Sequence, residues 1–342
     1  MKAACKFILL ILCGLATACS TGPMPDDLCA FAEEDLIMPD LTTDAIEAFE
    51  LGKAYDISTI VDHPETIRED LRGTDYDRVI ARGHYERAAE AGHPQAMVKL
   101  ATYMDNGWGI PDTKYIPEFK KAFHWRREAA RRGEAHGFLG MAIQHFGGEG
   151  VRQDYRMGEV CAVQAAKLAD PEDPGPAFFL AKYDLRLHMP VLNDPLPEDR
   201  KVARGVTLME DLAFKGLSDA WRELGNFHEY KTEDMLKTEY YLRIGMTANR
   251  PRTSSSLSGS YRHGSYGFTS EELHDCIREL AGKPREVRLR IDEICPRPGG
   301  PLTRERVGLP PAPTQPLDVR AYLDTFLGGT WSRSQRAGKL VP

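Results

Sequence analysis

The feature that most limits what this chain can fold into is a period of 41 residues. Ala88-Ala89-Glu90-Ala91-Gly92 returns as Ala129-Ala130-Arg131-Arg132-Gly133, and Gly107-Trp108-Gly109-Ile110 returns as Gly148-Glu149-Gly150-Val151, both displaced by 41 positions. Two unrelated landmarks with one spacing indicate a repeated structural unit. Within a unit, Ala96, Leu100 and Tyr103 fall on one face of a first helix, a Gly-x-Gly turn follows, and Ala122, Trp125 and Ala129 fall on one face of a second. A lone helix pair cannot cover its own apolar stripe, so such units must stack on one another. Fainter echoes place Ala177, Leu180 and Tyr183, then Ala220, Leu224 and Phe227, at first-helix positions, with a proline-broken excursion from His188 to Glu198 between them.

The pattern A-x-x-x-L, G-x-G-[IV], W-x-x-x-A-A-x-x-G resembles the Sel-one-like repeat, a relative of the tetratricopeptide repeat, most closely over 84–170 and with lower fidelity over 177–250. The resemblance implies an all-α chain: a right-handed α-solenoid of helix-turn-helix repeats with a concave inner face and an irregular C-terminal cap. The expected division is a signal segment over 1–18, a tether over 19–43, repeats over 44–250, and a partly helical, proline-rich cap over 251–342. Asp44 with Glu47 three residues on reads as an N-cap pair ahead of Ile46, Phe49 and Ala54. Thr269-Ser270-Glu271-Glu272 reads as a capping box opening a helix through Leu280, and a last short helix is expected over Asp318–Phe326.

At the N-terminus, Lys2 and Lys6 precede the apolar run Phe7–Leu12, and small residues lead to Cys19, the pattern of an export signal. The run is too short to span a hydrocarbon core, which needs about 20 residues as a helix. Leu15-Ala16-Thr17-Ala18-Cys19 resembles a lipobox, its leucine one position early. That resemblance implies thioether lipid and N-acyl chains on Cys19, against the alternative of plain secretory cleavage after Ala18. Ser20, rather than Asp, then points to the inner leaflet of the outer membrane, facing the periplasm.

Loss of residues 1–18 removes two lysines and no acid, leaving 42 bases against 51 acids, a net charge of −9. Nucleic acid is excluded as a main partner, and membrane contact is expected through the lipid anchor only. Beyond the signal and Cys19 the cysteines are Cys29, Cys161, Cys276 and Cys295, of which Cys276–Cys295 is the first choice for a disulfide. Cys29 and Cys161 are left open between free thiols and a second bridge.

Chemistry-bearing patterns are sparse. The sequence has no G-x-S-x-G elbow, P-loop, H-x-x-x-H, C-x-x-C or H-x-K-x-x-x-x-D. No catalytic residue, metal or cofactor is expected. His84 and His124 sit at repeat positions where packing or solvation explains them, and His228-Glu229 stands alone. Trp108 lies in a turn where the sister unit has Glu149, so it reads as an exposed contact aromatic. Trp108, Tyr115 and Glu149 are therefore the expected partner contacts, with the 252–267 loop behind them.

The lipobox, the repeats and a glycine- and serine-broken tail containing Leu309-Pro310-Pro311 together resemble lipoproteins encoded beside type VI secretion phospholipase effectors. The resemblance implies an immunity protein that binds and inhibits a cognate phospholipase effector, of the phospholipase D class. The alternative is a non-inhibitory envelope scaffold using the same repeat surface.

Overall fold

In the computed structural model the described residues are 29, 36–37, 40–56, 75–110, 116–185, 198–247, 271–297 and 299–327. Cys19, Tyr115 and the 252–267 loop lie outside them. Among them the chain is helical without strands. The helices are α1 (Thr43–Tyr55), α2 (Asp75–Glu90), α3 (Pro94–Asn106), α4 (Phe119–Arg131), α5 (Ala135–Gly147), α6 (Tyr155–Leu168), α7 (Gly175–Asp184), α8 (Glu198–Phe214), α9 (Ser218–Phe227), α10 (Met235–Thr247), α11 (Glu271–Ala281), α12 (Arg285–Arg288), α13 (Ile291–Ile294) and α14 (Val319–Leu327). A π-helical turn, His228–Thr232, separates α9 from α10.

Helices pack as antiparallel pairs, α1 with α2 through α9 with α10, and each pair packs on the next. First helices also touch one another, α3 against α5 and α5 against α7, so the α-solenoid curves toward them. Every first-helix position read from the sequence is buried, from Ala96, Leu100 and Tyr103 to Ala220, Leu224 and Phe227. The repeated glycines are the turn positions. Gly107, Gly109, Gly148 and Gly150 all have φ between 65° and 75°, where a side chain is strained. The second glycine of each turn also presses on the preceding helix. A Cβ on Gly109 would lie 2.5 Å from the Arg78 carbonyl oxygen, and one on Gly150 2.6 Å from the Phe119 carbonyl.

Helix α1 starts two residues earlier than expected, because Thr42 Oγ1 accepts from the Ala45 N–H at 3.2 Å and serves as the N-cap in place of Asp44. Its packing face is also different. Ala45, Ala48 and Gly52 are buried, while Ile46 is 45% exposed, because the Tyr85 ring needs small residues opposite it.

The expected tether is partly pinned. Cys29 is buried and disulfide-bonded to Cys161 in α6, which closes the option of two free thiols. Leu36 packs on the main core, and the Ile37 N–H donates to the Arg131 carbonyl at 2.8 Å. An apolar Cys-x-x-x-x-x-x-Leu-Ile run inside an acidic stretch has surface to bury, which average composition hides.

The C-terminal region also does more than cap. Helices α11, α12 and α13 close the end of the stack beside α10, with Cys276 bonded to Cys295. The chain then runs back along the second helices. Arg297 meets Glu239 of α10 at 2.7 Å, Arg304 meets Glu210 of α8 at 3.1 Å, the Leu317 N–H donates to Asp211 at 2.7 Å, and Lys167 of α6 meets Asp324 at 2.7 Å. Val307 and Leu323 are buried in the main core beside Cys29. Both terminal segments therefore converge on α6. That convergence explains why eight of its 14 residues are buried, against four of 13 in the equivalent α4.

Candidate partner-binding surface

The conserved geometry of the turns sets where the expected contacts lie, because Trp108 and Glu149 occupy the middle of equivalent Gly-x-Gly turns. The two side chains are nevertheless in different situations. Trp108 is half-buried: its ring meets Tyr103 edge-on with centroids 5.6 Å apart, and the Arg78 guanidinium lies 4.8 Å over its face. Its carbonyl accepts from Arg82 Nη1 at 3.1 Å. The expectation of a free contact aromatic is thus corrected. The α2 helix supplies Arg78 to hold the ring against the core built by α2, α3 and α4.

Glu149 is exposed, and only its backbone is engaged, with its carbonyl accepting from the buried Gln144 side chain at 3.1 Å. Its charge reaches Asp105 at the end of α3. Burial pushes the Asp105 carboxyl upward, the paired Arg126 of α4 opposes this, and Glu149 adds to the upward push. Arg126 fits there because α5 has Gly140, where a Cβ would collide with the guanidinium.

Several of the other perturbed groups lie inside the stack. Asp56, at the C-cap of α1, accepts from Tyr85 at 2.9 Å and Tyr103 at 2.7 Å, and burial with that carboxylate raises both phenols far above their ordinary value. Between α6, α7 and α8, Arg204 donates to Asp184 twice at 2.7 Å and to Glu159 at 2.8 Å, while Lys201 donates to Glu159 at 2.7 Å. Burial lifts Asp184 to about 6 even against Arg204. All four side chains are at most 2% exposed. Among the described residues, two carboxylates and two cations buried together in this way can fix three helices to one another.

Sequence reading passed over this set. The signal was Glu159, alone in the apolar run Gly158–Val163, which demands a buried cation from elsewhere. His228 is likewise internal. Its ring stacks on Tyr241 at 5.5 Å, Nδ1 bonds Thr232 at 2.9 Å, and burial lowers it to about 4. Among the described residues no group of His, Cys, Asp and Glu could hold a metal ion, and no helix is long and apolar enough to cross a membrane.

Among the described residues the first helices offer Gln95 and Asn106 of α3 and His136 and Ile143 of α5 as exposed positions, beside the exposed turn at Glu149. The second helices α6, α8 and α10 are overlaid by the chain's own C-terminal segment.

No family model and no curated protein matches the chain. Among solved structures it is similar to a Sel1 repeat protein from Oxalobacter formigenes, at 20% identity and a TM-score of 0.46 over 71% of this chain and 98% of the other. It is similar to the immunity protein Pa5087 from Pseudomonas aeruginosa, at 19% identity and a TM-score of 0.40 over 75% of this chain and 84% of that one. A third likeness is to c5321, a protective antigen of uropathogenic Escherichia coli with an SLR fold, at 16% identity and a TM-score of 0.35 over 87% and 72% of the two chains.

Proposed function

We propose that the chain is exported, carries lipid at Cys19, stands in the periplasm on the outer membrane, and binds and inhibits a type VI secretion phospholipase effector of the phospholipase D class. The observation that carries this reading is the stack of helix pairs itself, with the turn at Glu149 and parts of α3 and α5 exposed while the second helices α6, α8 and α10 are engaged by the chain's own C-terminal segment. A solenoid of helix pairs offers an extended face suited to capturing another protein, while the buried network of Glu159, Asp184, Lys201 and Arg204 is engaged in holding helices together.

The net charge of −9 after signal removal favours a basic target, and an active site that binds phosphodiesters is basic; complementarity of this kind raises the on-rate and rejects wrong partners. Glu149 and Tyr115 are the proposed contacts, with Trp108 holding its turn in place for them. In this reading the protein acts by occlusion and has no turnover of its own.

Periplasmic co-expression tests it. Cells making the phospholipase encoded beside this gene should grow when the full precursor is co-expressed and lyse without it. Continued lysis, with both proteins present in the periplasm, would leave the scaffold reading in its place.

A further inference from the structure

We infer that the side of the stack formed by α4 and the start of α6 is the side turned to the membrane, and that its occupant is an anionic lipid surface. The inference rests on the anchoring of Cys19 proposed above.

Its first support is chain length. Cys29 is fixed to α6, in the middle of the solenoid, and only residues 20–28 separate it from Cys19. Ten Cα–Cα steps reach at most about 35 Å, so the lipid cannot stray far from the α6 side. After the bridge, Leu36 lies against Gly133 and Ile37 bonds Arg131 at the end of α4, so the N-terminal segment passes from α6 to α4.

Its second support is charge. Residues 119–132 hold Lys120, Lys121, Arg126, Arg127, Arg131 and Arg132 against Glu128 alone, in a chain whose net charge is −7. Lys121 is neutralised by Glu118, Arg126 by Asp105, and Arg131 and Arg132 share Glu128. Lys120, Arg127, Arg152 and Arg156 pair with no carboxylate among the described residues. The turn holding Gly150 presses on Phe119 and Lys120, which brings Arg152 to the same end of α4 as Lys120. Uncompensated cations therefore lie on α4 and at the start of α6, the two helices to which the N-terminal segment is tied, and juxtamembrane cations of this kind are drawn to anionic headgroups within a Debye length. With that side on the bilayer, the first-helix side is left to the periplasm and a protein partner.

The test uses the full lipidated chain in phosphatidylethanolamine–phosphatidylglycerol bilayers. A photo-crosslinking amino acid replaces either His124, exposed on α4, or Ile143, 40% exposed on α5. Lipid adducts from position 124 should exceed those from position 143 by about tenfold. Equal yields, or more from 143, overturn the orientation. Two further variants check its causes separately: Lys120→Glu with Arg127→Glu, Arg152→Glu and Arg156→Glu, and a long Gly-Ser insertion after Ser20 that leaves the bridge intact. Each should lower the yield at 124 several-fold, and a yield indifferent to both refutes the inference. Mass analysis of the N-terminal peptide separates the two readings. Lipid on Cys19 without a preference at 124 sinks the orientation alone, whereas Cys19 without lipid sinks the anchor and the orientation with it.

Discussion

Replacing Arg204 with Met removes a group that bonds both buried carboxylates between α6, α7 and α8. Arg204 makes three charge-assisted bonds of 2.7–2.8 Å and is fully buried, as are Asp184 and Glu159. Methionine fills much of the volume, so the main cost is a carboxylate stranded without its cation, about 3–5 kcal/mol. That is a large part of the 5–15 kcal/mol typical of a whole domain. The cost depends on pH in a definite direction. Asp184 already titrates at about 6, raised from its ordinary 3.8 by burial. The folded state therefore binds its proton more readily than the unfolded chain, and stability from this group falls as the pH rises through that window. Without Arg204 the neutral acid is favoured further, so the variant's deficit should be largest near pH 8 and shrink toward pH 5. Urea unfolding of residues 20–342 at several pH values, with matched slopes, measures it. A deficit under about 1 kcal/mol that does not change with pH would refute the claim that this network is buried and charged.

The turn glycines should separate into two classes by urea unfolding. Gly109→Ala and Gly150→Ala combine strain at positive φ with a backbone collision and should cost about 2 kcal/mol or more, whereas Gly92→Ala, with nothing within 4 Å of the added Cβ, should cost about 1 kcal/mol. Trp108→Ala should destabilise by about 1–3 kcal/mol, below the 3–5 of a fully buried ring, and Leu100→Ala by about 2–5 kcal/mol; unchanged melting curves would contradict the packing described. Histidine NMR titration should find His136 above 6.5, raised by its bond to Glu134 and by Asp173, and His228 near 4. The His136 contribution is present below 6.5 and lost as the pH rises through its folded value, while His228 should make stability fall as the pH drops from about 6.5 toward 4.

The stack was legible because its landmarks are local. A positive-φ glycine and a buried alanine are each required at one position of one unit, so they recur at the repeat period even where the rest has drifted. The helix over 271–281 and the last helix were likewise readable from the sequence, although Thr269 and Ser270 of the expected capping box lie outside the described residues. What was illegible is what pairs residues far apart. Cys29 finds Cys161 across 132 positions, Glu159 finds Lys201 and Arg204 more than 40 positions on, and the tail folds back on α6. No periodicity carries such information. Trp108 was misjudged for a related reason: its sister turn omits the aromatic, yet Arg78 and Tyr103 give this copy its own packing.

The central claim, that the solenoid captures and silences a phospholipase, is tested most directly by titration. Purified residues 20–342, with both disulfides intact, would be added to a type VI secretion phospholipase effector of the same bacterium while phosphodiester hydrolysis is followed. Activity should fall linearly to near zero at one equivalent, with a stable complex on gel filtration and a weaker end-point for Glu149→Lys. Full activity at excess inhibitor, with the two proteins eluting apart, would contradict the account.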